Sequence, residues 1–230
     1  MGTKEREYMK TEEAYIAGYT LGDGCLYSRQ HKFSMNPKKT LVDYEVTWAD
    51  AEIEHLEKIS QIVKNNHPKH GIVALRLRNN GTYAILRCSR KAVYIWLRNL
   101  LDQNVENQTK ENIASFIGGF FDAEGCVQKL TNGEYKGKTY YRICLTITQK
   151  DREILEKIKA LLKLHFGINS NIYKKWHKDA YVLRIQSNKG AYAFFENIDF
   201  RSRRKRTKLE SMLSSVHSNP KLQLPRLMDN

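Results

Sequence analysis

Cysteine is scarce: four occur in 230 residues, at positions 25, 88, 126 and 144, and no two form a CxxC pair. That excludes a disulfide framework and reads as small buried residues in a reducing compartment, so an intracellular setting (cytoplasm, nucleoid or organelle matrix) is expected. His67 and His70 have no second pair nearby, which excludes a zinc site. Long apolar runs are missing as well. The longest, around 14–22 and 113–121, reach about half of the ~20 residues a membrane span needs, so no membrane is expected. The N-terminus lacks the apolar stretch of a signal peptide and the Ser or Thr at position 6 that myristoylation requires. Of only four prolines, Pro220 and Pro225 fall after Ser218, in a tail read as irregular over 218–230.

Acidic residues are few against the basic ones, 25 against 39, for a net charge of +14. An average near-neutral metabolic enzyme is excluded. With 41% apolar residues, 13 Tyr, 8 Phe and 3 Trp, so is a disordered chain. Excess positive charge points to a polyanion, most often nucleic acid. The charge is also clustered: Arg201, Arg203, Arg204, Lys205, Arg206 and Lys208 fall within eight residues.

The chain repeats itself. Residues 16–25 (IAGYTLGDGC) align with 117–126 (IGGFFDAEGC), Leu56-Glu-Lys-Ile59 aligns with Leu155-Glu-Lys-Ile158, and 89–99 follows 187–197. Three matches in one order indicate two copies of one unit, a pseudo-dimer in a single chain. We place the first copy at 1–101, a polar linker at 102–108 and the second copy at 109–217.

Each copy reads as αββαββα. In the first, Thr11 is expected to cap a helix over 11–22, with Glu12 and Glu13 on its positive end. An extended stretch over 25–33, a break at Asn36-Pro37 and a strand over 42–48 follow. A helix over 52–63 carries Ile53, Leu56, Ile59 and Val63 on one stripe. Alternation predicts a strand over 72–78, Asn80-Gly81 a hairpin turn, then a strand over 82–88 and a helix over 90–101. The second copy predicts helix 109–122, strands 126–130 and 140–148 around a turn at Asn132-Gly133, helix 153–164 closed near Gly167, strands 169–176 and 180–186, and helix 189–196. The class is α+β, with two antiparallel four-stranded sheets.

The opening helices carry small residues where a core helix carries Leu: Ala17, Gly18 and Gly22 in one, Gly118, Gly119 and Ala123 in the other. Glycine inside a helix costs about 1 kcal/mol against alanine. Close approach of two helix backbones compensates, and the natural partner of each helix is the other. Each helix ends in an acid in a glycine-rich turn, Gly22-Asp23-Gly24 and Ala123-Glu124-Gly125. Two carboxylates brought together at negative helix ends call for a neutralising partner, and a hard divalent cation is a good one.

The motif pair Tyr15-Ile-Ala-Gly-Tyr-Thr-Leu-Gly-Asp-Gly24 and Phe116-Ile-Gly-Gly-Phe-Phe-Asp-Ala-Glu-Gly125 resembles the two motifs of single-chain LAGLIDADG homing endonucleases. The first copy departs from the pattern at Tyr19 and Thr20. The likeness covers nearly the whole chain, because repeat length and element order agree too. It implies a site-specific, divalent-metal-dependent endonuclease that hydrolyses one phosphodiester in each strand of double-stranded DNA, acting as a monomer on a long asymmetric site. It implies Asp23 and Glu124 as metal-binding catalytic acids, carbonyls of Gly22 and Ala123 as further ligands, and Mg²⁺ as the cation, with Mn²⁺ able to substitute. Gln149 fits the family's site glutamine; the matching place in the first copy is near Asp50, a departure. For the site lysine we choose Lys205, with Lys208 and Lys110 as alternatives.

The resemblance further implies that one face of each sheet meets DNA. Arg29, Arg76, Arg78, Arg87, Arg142, Lys175 and Arg184 suit phosphates or guanine, and Gln30, Gln128, Asn171 and Gln186 suit base reading. Tyr44, Trp48, Trp96, Phe194 and Phe195 are expected in the core. The competing reading is an intron maturase or binding protein of the same fold, with intron RNA as partner; retention of both acids favours the nuclease. A nucleotide-binding fold is excluded, because Gly22-Asp-Gly24 lacks the G-x-G-x-x-G spacing and follows a helix. No protein-splicing segment flanks the repeats, so a free-standing enzyme is expected.

Overall fold

A computed structural model describes residues 8–33, 36–69, 74–78, 82–135, 138–176 and 178–217. His70, the Asn80-Gly81 turn and the tail over 218–230 lie outside them. Packing divides the chain into Met1–Ala123 and Glu124–Asn230. The repeat boundary near 102–108 and this packing boundary differ for a physical reason: the second motif helix is bound to the first one.

The first unit opens with α1 (Thr11–Asp23), followed without a loop by β1 (Gly24–Phe33) and β2 (Asn36–Asp50). Next come α2 (Ile53–Asn66), β3 (Ala74–Arg78), β4 (Tyr83–Cys88) and α3 (Lys91–Asp102). A short 3-10 turn at Val105–Asn107 leads into α4 (Lys110–Glu124). The four strands form one antiparallel sheet in the order β1-β2-β4-β3. Val46, Trp48, Ala84, Leu86 and Cys88 face the helices and are buried; Thr47, Ile85 and Arg87 alternate onto the open face. On α2, Leu56, Ile59 and Val63 form the predicted buried stripe.

Two local expectations are corrected here. The N-cap of α1 is Lys10, not Thr11; Glu13 accepts a hydrogen bond from the Lys10 backbone N–H at 2.9 Å, half of a capping box. The Thr11 hydroxyl is engaged elsewhere, donating to Asn112 Oδ1 of α4 at 3.4 Å. Asn36-Pro37 does not break the strand pair but begins β2, a position proline tolerates because it owes no ladder hydrogen bond there.

The helix contact is as the glycines require. A Cβ built on Gly18 would lie 1.9 Å from the Phe116 carbonyl oxygen, and one on Gly119 would lie 2.2 Å from that of Tyr15. No side chain fits in either place. Further polar bonds zip the N-terminal ends of the same pair: Ser115 Oγ donates to the Thr11 carbonyl at 2.8 Å and Asn112 Nδ2 to that of Met9 at 2.5 Å. The two helices therefore run parallel.

The second unit repeats the pattern with β5 (Gly125–Tyr135), β6 (Lys138–Gln149), α5 (Arg152–Phe166), β7 (Asn171–Lys174), β8 (Tyr181–Ile185) and α6 (Asn188–Asn197). Its sheet order is β5-β6-β8-β7. Asp151 caps α5 by accepting from the N–H groups of Glu153 and Ile154, and Gly167 closes it in the left-handed region at φ 66°. Asn132-Gly133 is not a hairpin turn. The strand runs through it with a register shift between Thr131 and Glu134, and Gly133 adopts φ 105°. Glycine serves a bulge as readily as a turn, since both use positive φ.

The basic cluster, to which the sequence pattern assigns no element, forms a helix, α7 (Arg203–His217). Its buried stripe is Lys205, Leu209 and Leu213, too sparse in a run of charges to stand out in sequence. Trp48 and Phe194 are in the core as expected; Tyr44, Trp96 and Phe195 are half-buried.

Candidate active site

In both units the acid stands at a helix-to-strand junction with no intervening loop. Asp23 ends α1 and Gly24 begins β1; Glu124 ends α4 and Gly125 begins β5. Gly24 is obligatory. A Cβ there would meet Thr20 carbonyl oxygen and Cγ2 at 2.5 Å. Thr20 is itself fixed, because the Trp48 indole N–H donates to its hydroxyl at 2.9 Å. The core of the sheet thus holds the turn that presents Asp23.

The electrostatics of these ends run against the helix dipole, unlike those of α2 and α5. Helix α2 carries Lys64 in its last turn, and α5 carries Lys163 and His165, as helix dipoles favour. Neither α1 nor α4 has a basic residue in its last turn, yet each adds a carboxylate to the negative end. This is a fit for a hard cation with oxygen ligands: one carboxylate per helix end and the carbonyls of Gly22 and Ala123 just before it. Among the described residues no group of three or more His, Cys, Asp or Glu side chains is arranged to hold a metal ion. Such a donor set suits Mg²⁺, which keeps water and takes substrate phosphates as its remaining ligands.

Gln149, at the end of β6, donates through Nε2 to Glu124 Oε1 at 3.2 Å. The matching end of β2 is Asp50, and it is engaged differently. Its Oδ2 accepts from Tyr19 Oη at 2.8 Å and lies 2.8 Å from His55 Nδ1; its Oδ1 accepts from the Glu52 N–H at 2.9 Å. Burial alone would raise the Asp50 carboxyl, but bonds from His55, Glu52 and Tyr19 hold it below the ordinary carboxylate value. Burial and the Asp50 charge push the Tyr19 phenol well above its own.

The open sheet faces carry most of the expected basic residues. On the first, Arg29, Arg76, Arg78 and Arg87 share one face, and Arg87 pairs with Glu45. Gln30 is exposed but lies on the opposite face of β1, because neighbours in a strand alternate. On the second, Gln128, Arg142, Asn171 and Arg184 share the face away from the helices. Arg184 lies over the Tyr173 ring at 5.3 Å, and Tyr173 Oη donates to Gln186 at 3.4 Å. Lys175 is exposed just beyond β7. The Nε atoms of Arg142 and Arg184 are buried and have no hydrogen-bond partner among the described residues. Lys205 is 9% exposed, Lys208 and Lys110 are exposed.

One feature of these faces escaped the sequence reading. Register places Cys25, Thr47 and Arg87 in one cross-strand row and Cys126, Thr146 and Arg184 in the matching row of the second sheet. The three pairs have different offsets in sequence, so only the ladders align them.

Residues 111–199 match the model of the LAGLIDADG-like domain, and both glycine-packed helices end in the motif acid. That stretch of the chain is similar to the LAGLIDADG family. The motif helix occurs twice in this one chain, ending at Asp23 and at Glu124. It is 27% identical over 216 residues to an uncharacterized protein of Methanocaldococcus jannaschii, covering 89% of this chain and 72% of that one. It also matches the Bacillus subtilis ribonucleoside-diphosphate reductase NrdEB subunit alpha, but spans only 16% of that protein's length. Homing endonuclease I-DmoI of Desulfurococcus mucosus is 26% identical over 209 residues, with 90% of this chain and 89% of that one covered. Among solved structures, the I-LtrWI LAGLIDADG homing endonuclease bound to target DNA has a TM-score of 0.69 at 11% identity, covering 93% of each chain. I-DmoI in complex with DNA and Mn has a TM-score of 0.60 at 23% identity, covering 82% of this chain and 96% of that one. These likenesses establish the LAGLIDADG fold for this chain. No helix among the described residues is long and apolar enough to cross a membrane.

Proposed function

We propose that this chain is a site-specific, divalent-metal-dependent DNA endonuclease that hydrolyses one phosphodiester in each strand of its target. The observation that carries this reading is the repeated acid, Asp23 and Glu124, at helix-to-strand junctions whose last turns hold no basic residue. Negative helix ends with added carboxylates are unfavourable without a cation. Its relatives include a homing endonuclease, and structural neighbours are complexes with target DNA and Mn.

Asp23, with the Gly22 carbonyl, and Glu124, with the Ala123 carbonyl, would each hold a divalent cation. When bound, Mg²⁺ or Mn²⁺ supplies Lewis acidity toward the scissile phosphate and a water nucleophile. Gln149 fixes one oxygen of Glu124 and so aims the other. Lys205 is the lysine of the site; its place on the buried stripe of α7, where an apolar residue is expected, supports a role other than packing.

The open faces bind the duplex. Buried Nε groups on Arg142 and Arg184, with no hydrogen-bond partner among the described residues, favour a partner that brings acceptors to that face, as phosphates and guanine do. The enzyme acts as a monomer on an asymmetric site, because its two faces differ. Its four cysteines, standing as thiols, favour a reducing, intracellular setting.

A supercoiled plasmid carrying the target tests the reading. In Mg²⁺, Asp23→Asn and Glu124→Gln are each expected to lose linear product by at least 100-fold, while binding in Ca²⁺ stays within about twofold. Linear product from either variant at near wild-type rate removes that acid from the site.

A further inference from the structure

Beneath α1, five polar side chains meet where helices ordinarily bury apolar ones. Tyr15 and Tyr19 come from α1, Asp50 from β2, His55 from α2 and Asp122 from α4. Tyr19 Oη donates to Asp50 Oδ2 at 2.8 Å, and His55 Nδ1 lies 2.8 Å from the same oxygen. His55 Nε2 lies 2.5 Å from Tyr15 Oη, which donates to Asp122 Oδ2 at 2.8 Å. The side chains of His55 and Asp122 are 2% and 0% exposed.

The fold does not demand this cluster. At matching positions the second copy has Phe116, Phe120, Gln149 and Ile154, and the repeat partner of Asp122 is Leu21. A buried polar group without a partner is costly, so a fully bonded set replacing apolar residues in one copy alone has a local task.

His55 uses both ring nitrogens at once. One faces the Tyr15 hydroxyl and the other the Asp50 carboxylate. One ring ties the end of β2 to α4 by way of Tyr15.

We propose that His55 is a positioning residue of the site. Through Asp50 it fixes the end of β2, and through Tyr15 and Asp122 it fixes the last turn of α4, which carries Glu124 two residues on. Asp50 stands where the second copy has Gln149, and His55 with Tyr19 takes up its carboxylate so that it does not act as an additional metal ligand. The positioning role rests on the endonuclease reading above.

Two measurements test it. In the first, His55→Ile is bound to target DNA in Ca²⁺, and cleavage of the preformed complex is started with excess Mg²⁺. The expected result is a single-turnover rate at least tenfold below wild type, with affinity within twofold. A merely structural role reduces the fraction of chains that bind but leaves the rate of the bound complex unchanged, and that result overturns the proposal. Should His55→Ile not fold, His55→Gln, which keeps one N–H donor, is expected to show the same rate loss to a smaller degree.

In the second, the folding equilibrium is measured for His55→Ile, Asp50→Gln and the double variant. The singles are expected to destabilise. The double, which installs the second copy's residues, is expected to recover at least tenfold relative to their product. Additive effects refute the clamp. A wild-type chain that cuts no target while coupling persists removes the endonuclease reading and the positioning role with it, leaving the clamp.

Discussion

Asp50 and Gln149 end equivalent strands, each two residues beyond the one paired with the glycine that follows a motif acid, yet they do different things. Gln149 reaches Glu124. Asp50 turns to Tyr19, Glu52 and His55. One backbone plan therefore carries two chemistries, and the divergence is confined to side chains around the acid. What both copies keep is steric: Gly18 and Gly119 at the helix contact, and a glycine directly after each acid. Backbone contact admits no substitute, whereas a hydrogen-bonded layer can be exchanged for an apolar one of similar volume.

The sharpest way to break the comparison is to attack what is shared. Gly18→Leu and Gly119→Leu are each expected to cost about 4 kcal/mol or more, at the exceptional end for a point change, or to prevent folding altogether. Chemical denaturation followed by circular dichroism measures this, and near-wild-type stability in either variant contradicts the backbone contact. The next effect separates the copies. Asp50→Leu leaves a buried His55 and Tyr19 without their acceptor and is expected to destabilise by roughly 3 kcal/mol. Gln149→Leu breaks a single bond and is expected to cost about 1 kcal/mol in stability. Its larger effect is on cleavage, which is expected to slow about tenfold with unchanged DNA affinity. Equal stability losses for the two variants would erase the distinction.

A smaller effect lies in pH. Asp50 holds its proton less readily folded than unfolded. It therefore contributes stability that is present above about pH 4, the ordinary carboxylate value, and is lost as pH falls through its lowered folded value. Stability measured from pH 6 down to pH 2 is expected to fall less steeply in Asp50→Asn than in wild type, whereas Gln149→Leu leaves the slope unchanged. The smallest effect concerns the thiols. Cys25 and Cys126 are exposed at matching positions, and Cys88 and Cys144 are buried, with burial pushing their thiols up. A thiol reagent is expected to modify two cysteines quickly in the native chain and the other two only on unfolding.

Much of this was legible from residues alone. Glycine within a helix has few physical explanations, so Gly18 and Gly119 announced a close contact, and repetition said which helices make it. The acids stood out because a carboxylate at a helix C-terminus runs against the dipole. Gln149 was found through resemblance. What stayed hidden were features that depend on partners far apart in the chain. His55 looked like one polar residue on an amphipathic helix, because Tyr15 and Asp122 approach it only in the fold. Comparing the copies position by position, Tyr15 with Phe116 and His55 with Ile154, carried the one available signal. Asn132-Gly133 misled because the dipeptide reports a need for positive φ and not whether a turn or a bulge uses it. Helix α7 was masked by its own charges.

The sequence by itself determined the two-copy plan, the element order, the contact of the motif helices and the pair of acids. Each follows from local periodicity or from the steric and electrostatic character of single residue types. Only the tertiary structure decided that Asp50 turns to His55 while its counterpart turns to Glu124, that Gln30 lies on the opposite face of its strand from Arg29, and which cysteines are covered. Side-chain direction is set by strand register and by which charges become neighbours when water is excluded. Those are properties of chain segments brought together across as many as 107 positions, and no single segment carries them.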